Sequence, residues 1–328
     1  MHPVEGFGIP RRARHYAWMR RTQLWIFAIA ATVIVGGATL IGLGMRDDSG
    51  GAGGGLLPSS LTFGDDPSPS ASPTPTGPSE EELAAIEWAK RAKALDAALK
   101  KYAATAPEFS VAVLDKKTGA RYSYRGSEKY DTASIVKVQV LACALLKAQD
   151  AGRGLSATEL SLAKPMIRLS DNNATTALFN RLGKASAVGK CNKRLGLKQT
   201  TVNSAWGLTR TTVDDQVKLL AELVDTKGPL KAGARKQAFT LMSTVDDTQD
   251  WGVPAVAKAG ETTTVKNGWD TRSADGGLWA VNTVGRVTSS DDDVDVSVAV
   301  LSHNNQSMDG GITLVQKVAE LTRQYLKY

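Results

Sequence analysis

The chain has 328 residues, 42% of them hydrophobic and 22% charged, with a formal net charge of +7. The charge is unevenly placed: residues 1–46 carry six Arg against Glu5, a net +5, and the remaining 34 basic and 32 acidic residues add only +2. The excess therefore belongs to one flank and gives no reason to expect nucleic-acid binding. His2, His15 and His303 are scattered without the spacing of a metal-ligand set, which argues against a zinc hydrolase. No metal and no cofactor is implied.

Leu24 to Met45 is an uncharged run of 22 residues interrupted only by Thr32 and Thr39, long enough to cross a bilayer core as a helix. Arg11, Arg12, Arg14, Arg20 and Arg21 precede it, and Arg46, Asp47 and Asp48 follow. The positive-inside rule then predicts a cytoplasmic tail over residues 1–23, a transmembrane helix over 24–45 and everything beyond on the outside of the cell membrane. Tyr16, Trp18 and Trp25 stand where interfacial aromatics belong. A cleaved secretory signal is the alternative, but its apolar core is shorter, about 7–15 residues, and ends in an A-x-A-like site. Residues 46–78 are rich in Gly, Ser and Pro and read as an extended tether.

Folding resumes at Ser79, which forms a capping box with Glu82 ahead of a helix predicted over 80–102. Phe109–Leu114 and Arg121–Arg125 alternate like strands and are joined by the hairpin sequence Asp115-Lys-Lys-Thr-Gly119. Ala133–Ala148 reads as an apolar helix, and helical patterns follow over 170–182, 186–195, 212–225 and 233–242. Leu278–Thr288 and Val294–Ser302 are strands separated by the charged turn Ser289-Ser-Asp-Asp-Asp293. Gly310–Leu326 is an amphipathic helix with Ile312, Val315, Val318, Ala319 and Tyr325 on one face. Strands at both ends and helices between them predict one α+β domain over 79–328. Its antiparallel sheet is assembled from both chain ends and packed with an all-helical subdomain.

Three motifs occur in this domain: Ser134-Ile-Val-Lys137, Ser170-Asp171-Asn172 and Lys266-Asn267-Gly268. A Ser-x-x-Lys pair arises by chance about once or twice in such a chain, and another occurs at Ser161-Leu-Ala-Lys164. Ser134 differs in opening an apolar helix, whose N-terminal N–H groups and dipole face whatever the hydroxyl attacks. Lys137, one turn later, lies within reach of that hydroxyl. A serine is a poor nucleophile until a base takes its proton, and lysine can do so only if burial or a second cation lowers its pKa. Lys266, on a β-branched run suited to an edge strand, is the candidate second cation and a partner for a substrate carboxylate. Gly268 lets substrate lie against the backbone. The bland alternatives are a helix cap at Ser134 with a snorkelling Lys137, and an N-cap at Ser170–Asn172.

The order and spacing of the three motifs resemble those of the serine β-lactamases and penicillin-binding proteins, and the class A β-lactamase branch most closely. The resemblance covers about residues 105–328. It implies the β-lactamase/transpeptidase-like fold and a Ser134 acyl-enzyme formed with β-lactams or D-Ala-D-Ala-type amides of peptidoglycan. It also implies that Ser170 relays a proton to the leaving nitrogen, that Asn172 binds the substrate amide and that Asp171 braces the loop. The N–H groups of Ser134 and Trp269 would form the oxyanion hole. Family members usually carry Thr or Ser where this chain has Asn267, whose amide can still donate to a carboxylate.

One departure bears on activity. Class A β-lactamases deacylate with a Glu on the loop before a Thr-Thr-containing helix start. The corresponding Gly196–Arg210, leading into Thr211-Thr212, is several residues short and has no Glu or Asp. The expectation is an extracytoplasmic serine hydrolase that deacylates slowly, with Glu222 and Glu261 as the carboxylates that could rescue turnover. A D,D-peptidase and a catalytically silent envelope-binding module are the rivals. Cys143 and Cys191, on two predicted helices, are either disulfide-bonded or buried thiols. Trp206 and Trp269 are placed at the pocket rim. Nothing in the sequence sets an oligomeric state.

Overall fold

The Ser79 hydroxyl accepts from the Glu82 N–H at 3.2 Å while the Ser79 N–H donates to the Glu82 carboxylate at 2.7 Å, closing the predicted capping box. This box opens the first element of a computed structural model that describes residues 77–328. The predicted tail, membrane span and nearly all of the tether lie outside the described residues, among which no helix is long and apolar enough to cross a membrane. The capped helix, α1 (Glu80–Ala103), buries Leu95 and Leu99 in its second half. Leu83 and Ile86, in its first half, stay exposed.

Strands β1 (Phe109–Asp115), β2 (Arg121–Tyr124), β5 (Glu261–Arg272), β6 (Leu278–Ser289) and β7 (Asp295–Asn305) form one antiparallel sheet in the order β2-β1-β7-β6-β5. The sheet is thus built from both ends of the described domain, as expected. A two-stranded ribbon pairs β3 (Tyr130–Asp131) with β4 (Arg210–Thr211). Alternation along each strand divides the core in two. Ala112, Leu114, Ala299 and Leu301 face the helical middle, whereas Val111, Val113, Val298 and Val300 face α1 and the last helix, α8 (Met308–Leu326). With both faces covered, β1 is buried without a break from Phe109 to Leu114, Ser110 included, where the sequence suggested alternation. Val315, Val318 and Ala319 lie on the buried face of α8.

The helical middle surrounds α2 (Val136–Asp150), which buries nearly every residue from Val136 to Ala148, so a helix apolar on all sides is what its position demands. Around it stand α3 (Ala157–Arg168), α4 (Asn172–Leu182), α5 (Lys184–Arg194), α6 (Val213–Glu222) and α7 (Ala232–Met242). Helix α3 lies outside the helices predicted from periodicity. Its signal is the Ser156/Glu159 capping box, masked by Pro165 in the last turn. The cysteine alternative resolves as a disulfide: Cys143 of α2 is bonded to Cys191 of α5.

Candidate active site

A single turn of 3-10 helix, Ala133–Ile135, leads into α2 and carries Ser134. The turn is held from two sides. Asn282 of β6 donates to the carbonyls of Asp131 and Thr132 at 2.9 and 3.1 Å, and Thr132 donates to the Thr209 carbonyl at 2.8 Å. Ala133 and Ser170 both adopt positive φ, 44° and 57°, a strained choice for residues with a Cβ. Each stands at one of the two candidate serines. Strand β5 crosses the turn so closely that a Cβ on Gly268 would lie 2.8 Å from the Ser134 nitrogen, so only glycine fits.

Lys137 is fully buried one turn beyond Ser134. Its Nζ lies 2.8 Å from Ser134 Oγ, 3.0 Å from Ser170 Oγ, 2.8 Å from the Ser170 carbonyl and 2.8 Å from Asn172 Oδ1. Burial pulls the Lys137 pKa down to about 7, against the opposing pull of the Asp171 carboxylate. A neutral amine that can accept the Ser134 proton is therefore well populated at neutral pH. Lys266 reaches the same place from β5 and donates to Ser170 Oγ at 3.0 Å, linking Ser134, Lys137, Ser170 and Lys266 in one chain. It is also fully buried, and its pKa is held well below the usual lysine value by burial first and by the Lys137 charge second. Burial is thus the main cause that lowers Lys137.

Asp171 caps α4 by accepting from the Ala174 N–H at 2.6 Å, so Ser170–Asn172 is a helix cap and a part of the lysine network at once. Trp206 covers Lys137, with its ring centre 5.0 Å from Nζ. The Trp269 ring packs beside Trp251 at 5.9 Å, with the second core. Trp206 thus stands beside the lysine network, whereas the Trp269 side chain, expected with it at the pocket rim, packs with the second core on the opposite face of the strand. The Ser161/Lys164 pair lies exposed on α3, with Ser161 bonded to the Thr158 carbonyl.

Two expected donors are otherwise engaged. Lys266 Nζ spends its remaining N–H groups on Gln249 Oε1 and the Asn267 carbonyl, at 3.2 and 2.8 Å. Asn267 donates both amide hydrogens to the carbonyls of Gln249 and Trp251, at 2.9 and 3.0 Å. Gln249, Asn282 and Asp215 are site-shaping residues that no sequence motif marked. Asp215 accepts from Lys198 N, Gln199 N and Thr200 Oγ1 and so fastens the acid-free loop. Neither proposed rescuer faces the site: Glu222 is paired with Lys218, and Glu261 with Arg323 at 2.6 Å.

An antiparallel sheet with its edge strand beside a Ser-x-x-Lys helix start defines a β-lactamase-type scaffold. The chain belongs to the beta-lactamase enzyme family, whose model matches residues 90–160 and 150–326. Among solved structures it resembles an ancestral class A β-lactamase (22% identity, TM-score 0.61, 70% of this chain and 99% of that one). It likewise resembles the chromosome-encoded β-lactamase of Vibrio parahaemolyticus (18% identity, TM-score 0.61, 71% and 99%). Among curated proteins it is 30% identical over 175 residues to the "Putative lipoprotein LppW" of Mycobacterium tuberculosis and of Mycobacterium bovis. The match takes in 51% of this chain and 55% of those proteins, so the chain spans about half the length of the curated relatives it matches.

Proposed function

We propose that the domain is a serine acyl hydrolase that works through a covalent acyl-enzyme on Ser134 and deacylates slowly. The observation that carries this reading is the buried amine of Lys137 set 2.8 Å from Ser134 Oγ. Lys137 takes the proton as the Ser134 oxygen bonds to the acyl carbon. Ser170, between Lys137 and Lys266, passes a proton to the leaving nitrogen or oxygen as its bond to the acyl carbon breaks. The N–H groups of Ser134 and Trp269 receive the oxyanion, at a helix start where the dipole favours negative charge. Water later cleaves the ester, releasing the acid and restoring the hydroxyl.

Slow deacylation follows from the loop between Gly196 and Arg210, which supplies no carboxylate to activate that water, while Glu222 and Glu261 are ion-paired elsewhere. The missing base lowers turnover by about 10²–10⁴. β-Lactams and D-Ala-D-Ala-type amides are the acyl donors the family suggests, the latter making the domain a D,D-peptidase. A catalytically silent pocket gives no reason for two buried lysines to converge on one serine. We place the domain outside the cell membrane on the anchor at residues 24–45, because the arginines preceding it favour the cytoplasmic side. A reporter fused after Tyr328 is then active only outside the cytoplasm.

The test is to incubate the full chain with p-nitrophenyl acetate and with a fluorescent penicillin, weigh the adduct and time its loss. A persistent adduct that disappears in Ser134→Ala is expected. Labelling undiminished in Ser134→Ala, or found at Ser161, would overturn the assignment. Turnover of hundreds of cycles with no detectable adduct would replace slow deacylation with true hydrolysis.

A further inference from the structure

Resting on the acyl-enzyme reading above, we propose that the natural acyl donor carries no carboxylate beside its scissile bond and is an uncharged ester or amide. The side chains that would hold such a carboxylate already hold the chain's own oxygens. Lys266 is fully buried and its Nζ has three partners within hydrogen-bond distance, Ser170 Oγ, Gln249 Oε1 and the Asn267 carbonyl, as many as even the protonated amine has N–H groups. Asn267 is buried too, with both amide hydrogens given to the carbonyls of Gln249 and Trp251. An incoming carboxylate meets oxygen atoms there, and no free donor on either motif side chain. An anion desolvated without a partner is strongly disfavoured.

The segment that takes up these donors is fastened at each residue. Gln249 Nε2 donates to the Arg168 carbonyl at 3.2 Å, and Trp251 packs on Trp269. Gly252, at φ 76°, lies so near Thr283 that a Cβ would stand 2.4 Å from its hydroxyl, and the next N–H, of Val253, donates to that hydroxyl at 3.1 Å. Opening the donors means breaking this set together. The next cation along β5, Arg272, is neutralised by Asp131 at 2.8 Å. Acyl transfer itself needs none of these charges: the Ser134 proton passes through Lys137 and Ser170 to the leaving atom, and water regenerates the serine.

A penicillin and its methyl ester share the reactive ring and differ only at the carboxylate. The experiment measures second-order acylation of the full chain by each, with the adduct weighed and assigned through Ser134→Ala and p-nitrophenyl acetate as a further uncharged donor. The ester acylating Ser134 at least as fast as the free acid is the expected result. Acylation by p-nitrophenyl acetate with neither penicillin reacting overturns the proposal, since an ester that fails as the acid does shows that the carboxylate is not what excludes it. Faster acylation by the free acid overturns the proposal and leaves the acyl-enzyme reading standing. If no donor labels Ser134, the acyl-enzyme reading fails and the proposal falls with it.

Discussion

Gly268 and Ser134 touch through their backbones: a Cβ on Gly268 would lie 2.8 Å from the Ser134 nitrogen and 2.7 Å from that of Ile135. Both neighbours are main chain, so Gly268→Ala must push β5 away from the start of α2. The proposed oxyanion site lies between those two elements, and a displacement of about 1 Å can lower such a rate by about 10². Acylation of Ser134 in Gly268→Ala is expected to fall by that order while circular dichroism stays native. An unchanged rate would show that the strand does not shape the reacting geometry.

The Lys137 amine, drawn down to about 7 by burial, acts as base only when neutral. Acylation therefore rises with pH through about 7 and levels off above it, and Lys137→Ala loses about 10²–10⁴ in rate together with that inflection. The same shift acts on stability. The folded-state pKa lies below the ordinary lysine value of 10.5, so between about pH 7 and 10.5 the unfolded chain binds more protons at this residue. The contribution of Lys137 to stability accordingly increases as pH rises across that window and is lost below it. Urea titrations of the wild type and Lys137→Met at pH 6 and pH 9 measure the difference. A gap in stability between the two proteins that does not change with pH would contradict it.

Asn282 is expected to be a positioning residue, since it touches the turn before Ser134 rather than the reacting atoms. It donates to the Asp131 and Thr132 carbonyls and accepts from the Ser302 N–H at 3.1 Å. Asn282→Ala leaves three buried main-chain groups without these bonds, at about 1–3 kcal/mol for each one left unsatisfied. Chemical denaturation should register the loss. The variant should also acylate more slowly while keeping the wild-type pH inflection, because Lys137 is untouched.

The Cys143–Cys191 bridge ties α2 to α5 nine residues beyond Ser134, roughly 13 Å along the helix. Replacing both cysteines by Ala is expected to lower stability by about 2–5 kcal/mol with Ser134 labelling retained. A large fall in acylation at a temperature where the variant remains folded would show that the bridge also sets the site.

Much of the architecture was legible because local physics is written in local residues. The Ser79/Glu82 box, the alternation of β2, the apolar α2 and the amphipathic α8 each satisfy a backbone or burial demand within a few positions. Ser134, Lys137 and Ser170 were legible from motif order, and the structure brings them and Lys266 into one hydrogen-bonded chain. What the sequence could not carry is the use each donor is put to. Asn267 reads as a free amide until Gln249 and Trp251 are brought against it, and Lys266 reads as a cation open to a substrate carboxylate until Ser170, Gln249 and the Asn267 carbonyl are found on it. Gln249, Asp215 and Asn282 belong to no motif and matter through partners 17, 15 and 150 residues away. Sequence by itself determined which groups could do acyl transfer, because side-chain chemistry belongs to single residues. Only the tertiary structure decided which of those groups remain free, because a hydrogen bond and a desolvated charge are properties of neighbours that folding alone brings together.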